Sequence, residues 1–212
     1  MTPPVRTFRE RLLEHARSIG DVPAILAPTA SLSYGALVGE VHALAVAVGS
    51  RGIGQDTIVA LTARSEVDHL LAARALLELG APQVARAAHD PPAMRLRLAR
   101  RVGATIVLAD RPDDAVAGLD RIDLGAALAS ARSNPRGDAV PGFDASTPAL
   151  YLTGSGTTGE PKVIRYSQLD LARHAGNHID FAGERVLRPA HVEYNNSKRM
   201  RLYTLWQGGT CV

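Results

Sequence analysis

Hydrophobic residues fall into short apolar runs that alternate with longer amphipathic stretches. The runs "PAILAP", "TIVALTA" and "TIVLAD" are brief and continuous, which is typical of strands buried on both faces of a sheet. Between such runs, apolar residues recur at helical spacing, as at Leu37, Val41 and Leu44. The pattern therefore predicts an α/β fold in which helices flank a largely parallel β-sheet.

Polar residues at the predicted helix starts support this order of elements. Thr7, Ser33 and Ser65 each precede a helical stretch and can accept hydrogen bonds from its first turn. Ser167 does the same and is followed three residues later by Asp170, as in a capping box. These positions predict where four of the helices begin.

The stretch 133–148 is polar and rich in proline and glycine, and it interrupts the alternation of strands and helices. We expect an α/β subdomain over 1–132, a connector over 133–148, and a third part over 149–212. This third part would hold a glycine-rich loop with its strands and the start of a further, incomplete α/β subdomain.

Composition narrows the class of protein. Of the 212 residues, 46% are hydrophobic and 21% are charged, a balance typical of a folded globular chain. No apolar stretch reaches the roughly 18 residues that a membrane span needs, so no membrane association is expected. The one cysteine, Cys211, cannot form an internal disulfide, which suits a cytoplasmic location.

A cluster of arginines raises the question of nucleic-acid binding. The predicted helix "MRLRLARR" carries four of them: Arg95, Arg97, Arg100 and Arg101. They alternate with apolar residues, and no groove-reading motif accompanies them. We therefore expect a helix with a solvated basic face and no nucleic-acid partner.

The stretch "LTGSGTTGEPK" places a glycine-rich loop between two predicted strands. Backbone N–H groups of such a loop can converge on an anion, and the hydroxyls of Ser155, Thr157 and Thr158 add hydrogen-bond donors. Lys162 either adds a positive charge for a phosphate at the end of the loop or is a solvated surface lysine, and its place beside the loop favours the phosphate role. This chemistry predicts a phosphate-binding site.

Two common phosphate motifs do not fit the loop. The Walker motif requires a lysine and a hydroxyl residue where this chain has Glu160 and Pro161. The dinucleotide fingerprint matches the spacing of Gly154, Gly156 and Gly159, but it requires a helix immediately afterwards, and a strand is predicted here. A phosphate-binding nucleotide triphosphatase of another design is the weaker alternative.

The segment "SGTTGEPK" resembles the phosphate loop of adenylate-forming acyl- and aryl-CoA synthetases, luciferases and peptide-synthetase adenylation domains. The stretches "LSYGAL" and "LWQGGTCV" also resemble elements of that family, so the likeness runs loosely along most of the chain. Two residues depart from the family pattern: Gly154 stands in place of a hydroxyl residue, and Val163 in place of a glycine.

The resemblance implies an α/β synthetase fold and a two-step reaction. ATP and a small carboxylate would form an acyl adenylate with the help of Mg²⁺, and coenzyme A or carrier-protein phosphopantetheine would then accept the acyl group. It also implies a set of residues that bind the ATP phosphates: Gly154, Ser155, Gly156, Thr157, Thr158, Gly159 and Lys162. Among these, Thr158 would lie nearest Mg²⁺.

Two further groups of residues are weaker candidates. Tyr194 and Asn195 either line the carboxylate pocket or belong to a strand-to-helix turn capped by Asn196 or Ser197, and the residue types favour the cap. Two histidines, His174 and His178, are four apart on a predicted helix, a spacing that suits a metal. Without a third ligand nearby, no metal site is expected there.

The resemblance covers only the first part of the synthetase fold. We therefore expect an N-terminal fragment of an ATP-dependent acid–thiol ligase, with its catalytic residues downstream of Val212 and little activity by itself. Its partner would be the C-terminal remainder of the enzyme, and a homodimer is left open. The alternative is a non-enzymatic binding or assembly module that keeps the synthetase fold.

Overall fold

The computed structural model describes residues 5–28, 30–134, 139–154 and 162–212, which form two β-sheets with helices packed against them. The helices are α1 (Phe8–Ser18), α2 (Tyr34–Gly49), α3 (Glu66–Glu78), α4 (Pro92–Val102), α5 (Leu124–Ser133), α6 (Gln168–Gly176) and α7 (Asn195–Gln207). The strands are β1 (Pro23–Ala27), β2 (Ala30–Ser33), β3 (Val59–Thr62), β4 (Gln83–Ala85), β5 (Ile106–Ala109), β6 (Asp120–Asp123), β7 (Pro148–Gly154), β8 (Lys162–Ser167), β9 (Arg185–Val186) and β10 (Thr210–Cys211). A short 3₁₀ helix spans Pro112–Asp114.

The larger sheet has six strands in the order β6-β5-β3-β4-β7-β8. Its first five strands are parallel to their neighbours, and β8 alone runs antiparallel, to β7. Parallel strands need crossover connections, and α3 and α4 supply two of them. The predicted α/β fold with a largely parallel sheet is confirmed.

The smaller sheet joins the two ends of the chain, in the order β2-β1-β10-β9. Ile25 of β1 lies opposite Cys211 of β10 in a parallel pair. The Tyr34 hydroxyl donates a hydrogen bond to the Gly209 carbonyl at 2.7 Å and strengthens this junction. The apolar run "PAILAP" predicted β1 but not its pairing with β10, and the apolar pattern gave no sign of β6 and β9.

The 133–148 stretch separates strands that share the larger sheet. Val84 of β4 lies opposite Tyr151 of β7 in a parallel pair, so residues on both sides of the stretch belong to one sheet. The division into 1–132, 133–148 and 149–212 stays a prediction about subdomains.

The predicted cap residues are confirmed. The side chains of Thr7, Ser33, Ser65 and Ser167 accept hydrogen bonds from the first turns of α1, α2, α3 and α6. Removing such a cap typically costs about 1 kcal/mol. Local sequence therefore determines these four helix starts.

Helix α3 forms the centre of the main core, and each residue from His69 to Glu78 is buried. It packs against α2, which buries Leu37, Val41 and Leu44. Each fully buried leucine contributes roughly 1.5–3 kcal/mol relative to an exposed one. A second cluster on the opposite face of the larger sheet includes Tyr151 and packs under α4.

The prediction of a solvated arginine face on α4 is wrong for Arg95. Arg97, Arg100 and Arg101 are exposed, but Arg95 is buried. Its Nη1 donates to Asp114 Oδ1 at 2.5 Å. The buried carboxylate of Asp114, 19 residues further along the chain, therefore stabilises the buried charge of Arg95.

Helices in the described ranges are all too short or too polar to cross a lipid bilayer.

Candidate functional site

The hairpin of β7 and β8 carries the predicted phosphate loop between its two strands. Gly154 at the end of β7 lies opposite Lys162 at the start of β8, and Thr153 lies opposite Val163. The two ends of the loop are therefore held side by side. The other predicted phosphate-binding residues lie outside the described residues: Ser155, Gly156, Thr157, Thr158 and Gly159.

The hairpin ends at the carboxyl edge of the parallel strands. Because β3, β4, β5 and β7 run in the same direction, the residues after each of them meet at this edge. Open α/β sheets bind their ligands in the crevice outside the carboxyl ends of the strands. Gly154 and Lys162, the two ends of the loop, thus lie where this fold class forms its binding sites.

The residues at the start of α7 are hydrogen-bonded to the end of β7 and to the segment that follows β4. Asn195 Nδ2 donates to Thr153 Oγ1 at 2.9 Å and also to the Thr153 carbonyl oxygen. Glu193 Oε1 accepts a hydrogen bond from the Ala88 N–H at 3.0 Å. The segment 193–195 therefore bridges β4 and β7 next to the loop.

This geometry corrects the expectation for the start of α7. The cap position is Tyr194, whose side chain makes no capping hydrogen bond, so Asn196 and Ser197 are not the cap residues. The Ser197 hydroxyl instead donates to the Ala190 carbonyl at 2.5 Å. The residues before the helix form a turn, not the predicted strand. Asn195 is free of a capping role and bonds to β7.

A cleft of about 420 Å³ opens beside this segment, and we call it the main cleft. Its lining combines β4, β7, α4 and the start of α7: Ala85, Ala87, Asp90, Met94, Arg97, Leu98, Arg100, Arg101, Thr153, Glu193, Tyr194 and Asn195. The volume is within the range of about 300–1,000 Å³ that is usual for small-ligand sites. Tyr194 and Asn195 thus lie together at this cleft, and their role in binding a carboxylate stays a prediction.

A second, more open cleft of about 520 Å³ shares Glu193 and Tyr194 with the main cleft. His191 lies here, with Nε2 3.0 Å from the Arg64 carbonyl oxygen, while Nδ1 accepts from the Glu193 N–H at 3.3 Å. These contacts assign the proton of His191 to Nε2. His89 Nε2 is 3.2 Å from the Tyr194 hydroxyl. His191 and His89 thus contact the segment between the two clefts, at Glu193 and Tyr194.

Burial affects the ionisation of Glu193. It raises the pKa of this carboxyl group, and the hydrogen bond from Ala88 and the neighbouring charges oppose the rise only in part. A carboxyl group with a raised pKa at the boundary of two clefts is electrostatically unusual, and such groups cluster at functional sites.

An ion-pair network centred on Asp114 lies behind the edge of the sheet. Arg64 and Arg95 each place a nitrogen 2.5 Å from one of its carboxylate oxygens, and Arg86 Nη2 donates to its carbonyl oxygen at 3.0 Å. Burial alone would raise the pKa of Asp114, but the two arginine hydrogen bonds outweigh it and lower the pKa. The network ties the ends of β3 and β4 to α4, and the sequence pattern gave no sign of it.

A second buried polar group lies between β4, α3 and α7. Lys198 is completely buried, and its Nζ donates to Gln83 Oε1 at 3.3 Å. Burial lowers the pKa of Lys198 to about 7, and the charge of Glu193 opposes this shift. His69 is also buried, and burial followed by the Lys198 charge lowers its pKa well below the usual range. The histidine is therefore neutral.

The two histidines with metal-compatible spacing do not share a helix. Helix α6 ends at Gly176, so His178 lies beyond it. The His174 ring is 5.5 Å from Tyr166, and the His178 ring is 5.7 Å from Tyr203. Across the described ranges, no group of three or more histidine, cysteine, aspartate or glutamate residues is arranged to hold a metal ion.

Comparison with known proteins gives a family match. A model of the AMP-binding enzyme family matches residues 12–212. The hybrid PKS-NRPS synthetase iliA of Neonectria sp. (strain DH2) is 28% identical over 97% of this chain, which spans 5% of that protein. The 4-chlorobenzoate–CoA ligase of Arthrobacter sp. is 30% identical over 76% of this chain, which spans 33% of the ligase. The chain therefore spans well under half the length of these relatives.

Solved structures share the fold at low sequence identity. The N-terminal subdomain of Klebsiella oxytoca NpsA, in complex with 3-hydroxybenzoyl-AMSN, superimposes with a TM-score of 0.86 at 19% identity, covering 98% of this chain and 53% of that chain. VinN superimposes with a TM-score of 0.87 at 14% identity, covering 99% of this chain and 60% of VinN. At this identity the likeness concerns the fold alone.

Proposed function

The chain belongs to the AMP-binding enzyme family, and from this premise we propose that it is the N-terminal part of an ATP-dependent acid–thiol ligase. In the complete enzyme, a carboxylate oxygen attacks the α-phosphorus of ATP, and pyrophosphate leaves as the acyl adenylate forms. A thiol then takes the acyl group and releases AMP. The chain spans only 5% to 43% of its relatives' lengths. We therefore assign to it nucleotide and acid binding and not the whole reaction.

One observation carries the proposal: the end of β7 leads into the predicted phosphate loop and also lines the main cleft. Thr153 is the residue before Gly154, where the loop is entered, and it also lines the cleft. Asn195, which lines the cleft too, is hydrogen-bonded to Thr153. An acid in the cleft would therefore lie beside a nucleotide held by the loop, which is the proximity that the first step requires.

We assign the phosphates of ATP to the loop and its two ends. The proposed ligands are Gly154, Ser155, Gly156, Thr157, Thr158, Gly159 and Lys162. Phosphoryl chemistry needs charge neutralisation around the β- and γ-phosphates, which Mg²⁺ supplies when it is bound. Thr158 is the proposed hydroxyl beside that ion. Lys162 is exposed at the end of the loop, where its ammonium group is free to meet a phosphate.

We assign the acid to the main cleft, with Tyr194 and Asn195 in its wall. Met94, Leu98 and the methyl group of Ala85 give the cleft an apolar part that suits the body of a small acyl or aryl acid. The relatives include a 4-chlorobenzoate–CoA ligase and a fatty acid–[acyl-carrier-protein] ligase. We therefore propose coenzyme A or a carrier-protein phosphopantetheine as the acceptor, and the remainder of the ligase as the partner.

Calorimetric titration of the chain with ATP and Mg²⁺ tests the nucleotide site. Lys162→Met removes the proposed phosphate contact, and Arg165→Met removes a charge that is three residues further along β8 and exposed as well. We expect Lys162→Met to raise the Kd for ATP about tenfold, equivalent to about 1.4 kcal/mol. The Arg165→Met control should bind like the unmodified chain. Equal affinities for both variants, or no ATP binding by the unmodified chain, would refute the assignment.

A further inference from the structure

Lys198 is a buried cation that lacks an ionic partner. Its side chain has no measurable exposure, and across the described residues no carboxylate oxygen lies within 4 Å of Nζ. Its hydrogen bond to Gln83 Oε1 measures 3.3 Å, whereas charge-assisted bonds to oxygen are usually about 2.7–2.9 Å. The protein therefore removes this ammonium group from water and compensates it poorly.

Two of the neighbours of Lys198 along β4 and α7 line the main cleft. Gln83, its hydrogen-bond partner, is two residues before Ala85 on β4, so both side chains are on one face of the strand, about 7 Å apart. Lys198 is three residues after Asn195 on α7, which places both on one face of the helix, about 4.5 Å apart along its axis. Because Ala85 and Asn195 line the cleft, Lys198 is about one helical turn from the cleft wall along α7.

The groups that face Lys198 leave its charge available. His69 of α3 is neutral, because its pKa is held well below the usual range. Among the residues that the structure describes, Glu193 is the one carboxylate whose charge acts on Lys198, and its Oε1 is already bonded to the Ala88 N–H. A side chain that only filled space here would not need a charge. An apolar chain of the same length would pack without the cost of desolvating an ion.

We propose that Lys198 binds a second carboxylate on the acid that occupies the main cleft, so that the substrate is a small dicarboxylate. This inference rests on the proposed function. One carboxylate of the acid lies at the Thr153 end of the cleft and reacts, and the other replaces Gln83 as the partner of the ammonium group. The flexible four-carbon chain of lysine lets Nζ move toward the cleft.

Binding measurements on the whole chain test the assignment without requiring turnover. At pH 6, where Lys198 with its pKa of about 7 is mainly protonated, the chain is saturated with Mg²⁺ and α,β-methylene-ATP and titrated with malonate, succinate and glutarate. Propionate, butyrate and pentanoate are the acids of equal length with one carboxylate. We expect at least one dicarboxylate to bind ten times or more tightly than its monocarboxylate counterpart.

Three variants separate the charge of Lys198 from its bulk. Lys198→Met and Lys198→Gln should both abolish the preference for the dicarboxylate while leaving the affinity for the ATP analogue unchanged. Arg199→Met, which removes the next cation on α7, should retain the preference.

Two results would overturn the assignment: equal binding of the paired acids by the unmodified chain, or a preference that survives in both Lys198 variants. If the ATP analogue itself fails to bind, the proposed function fails and the assignment fails with it. If the analogue binds and the paired acids do not differ, only the assignment fails.

Discussion

Raising the pH from 7 to 9 should stabilise the folded chain through Lys198. Burial lowers the pKa of this residue from 10.5 to about 7. Between these two values, the unfolded chain carries a proton on Lys198 that the folded chain has lost. The free energy of unfolding therefore rises with pH in this window, by about 1.4 kcal/mol per pH unit. Two pH units give about 2–3 kcal/mol, and below pH 7 the contribution levels off because both states are protonated.

Urea unfolding followed by circular dichroism at pH 7, 8 and 9 measures this effect. The variant Lys198→Met removes the titrating group and keeps a side chain of similar length. Other groups, such as Cys211, whose pKa burial raises to about 12, contribute equally to both proteins. The difference in unfolding free energy between the two proteins isolates Lys198. We expect this difference to change by about 2 kcal/mol from pH 7 to 9 in favour of the unmodified chain. A difference that does not vary with pH would show that the lysine is solvated in the folded state.

Two further predictions concern stability. Asp114→Asn removes the carboxylate that Arg64 and Arg95 share. The unfolding free energy should fall by about 3–5 kcal/mol, because an arginine charge is left buried without its partner. Urea unfolding at pH 7 measures this loss, and a loss below about 1 kcal/mol would contradict the prediction. Gly80→Ala should lower the melting temperature, since Gly80 has a φ of +66° and a Cβ there would lie 2.5 Å from the Phe143 side chain. Gly39 lies inside α2, and a Cβ there would have no atom within 4 Å. The matched control Gly39→Ala should therefore leave the stability unchanged or raise it by up to about 1 kcal/mol. Equal melting temperatures for the two glycine variants would refute the steric argument.

Local sequence was sufficient for features that neighbouring residues determine. Cap residues such as Thr7 and Ser65 act on N–H groups three residues away, so they predict where a helix begins. Continuous apolar runs such as that of β3 predict a strand covered on both faces. The pairing of β1 with β10 joins residues nearly 190 positions apart, and no local pattern encodes it.

Arg95 shows why the charged part of the core was not predictable. Its spacing on α4 fits a basic surface face, and the apolar pattern around it is that of an ordinary amphipathic helix. Its carboxylate partner Asp114 lies on a separate 3₁₀ helix, in a stretch with no marked periodicity. Only the fold brings these two residues together, so composition alone overstated the basic surface of the protein.

Two of the cations on helix α7, Lys198 and Arg201, are buried. The Arg201 guanidinium group is compensated: it donates to Glu66 Oε2 at 2.9 Å and to the Ala190 carbonyl at 3.0 Å. Lys198, one turn nearer the cleft, has only the long contact with Gln83. An anion that enters from the cleft is the partner that would compensate Lys198.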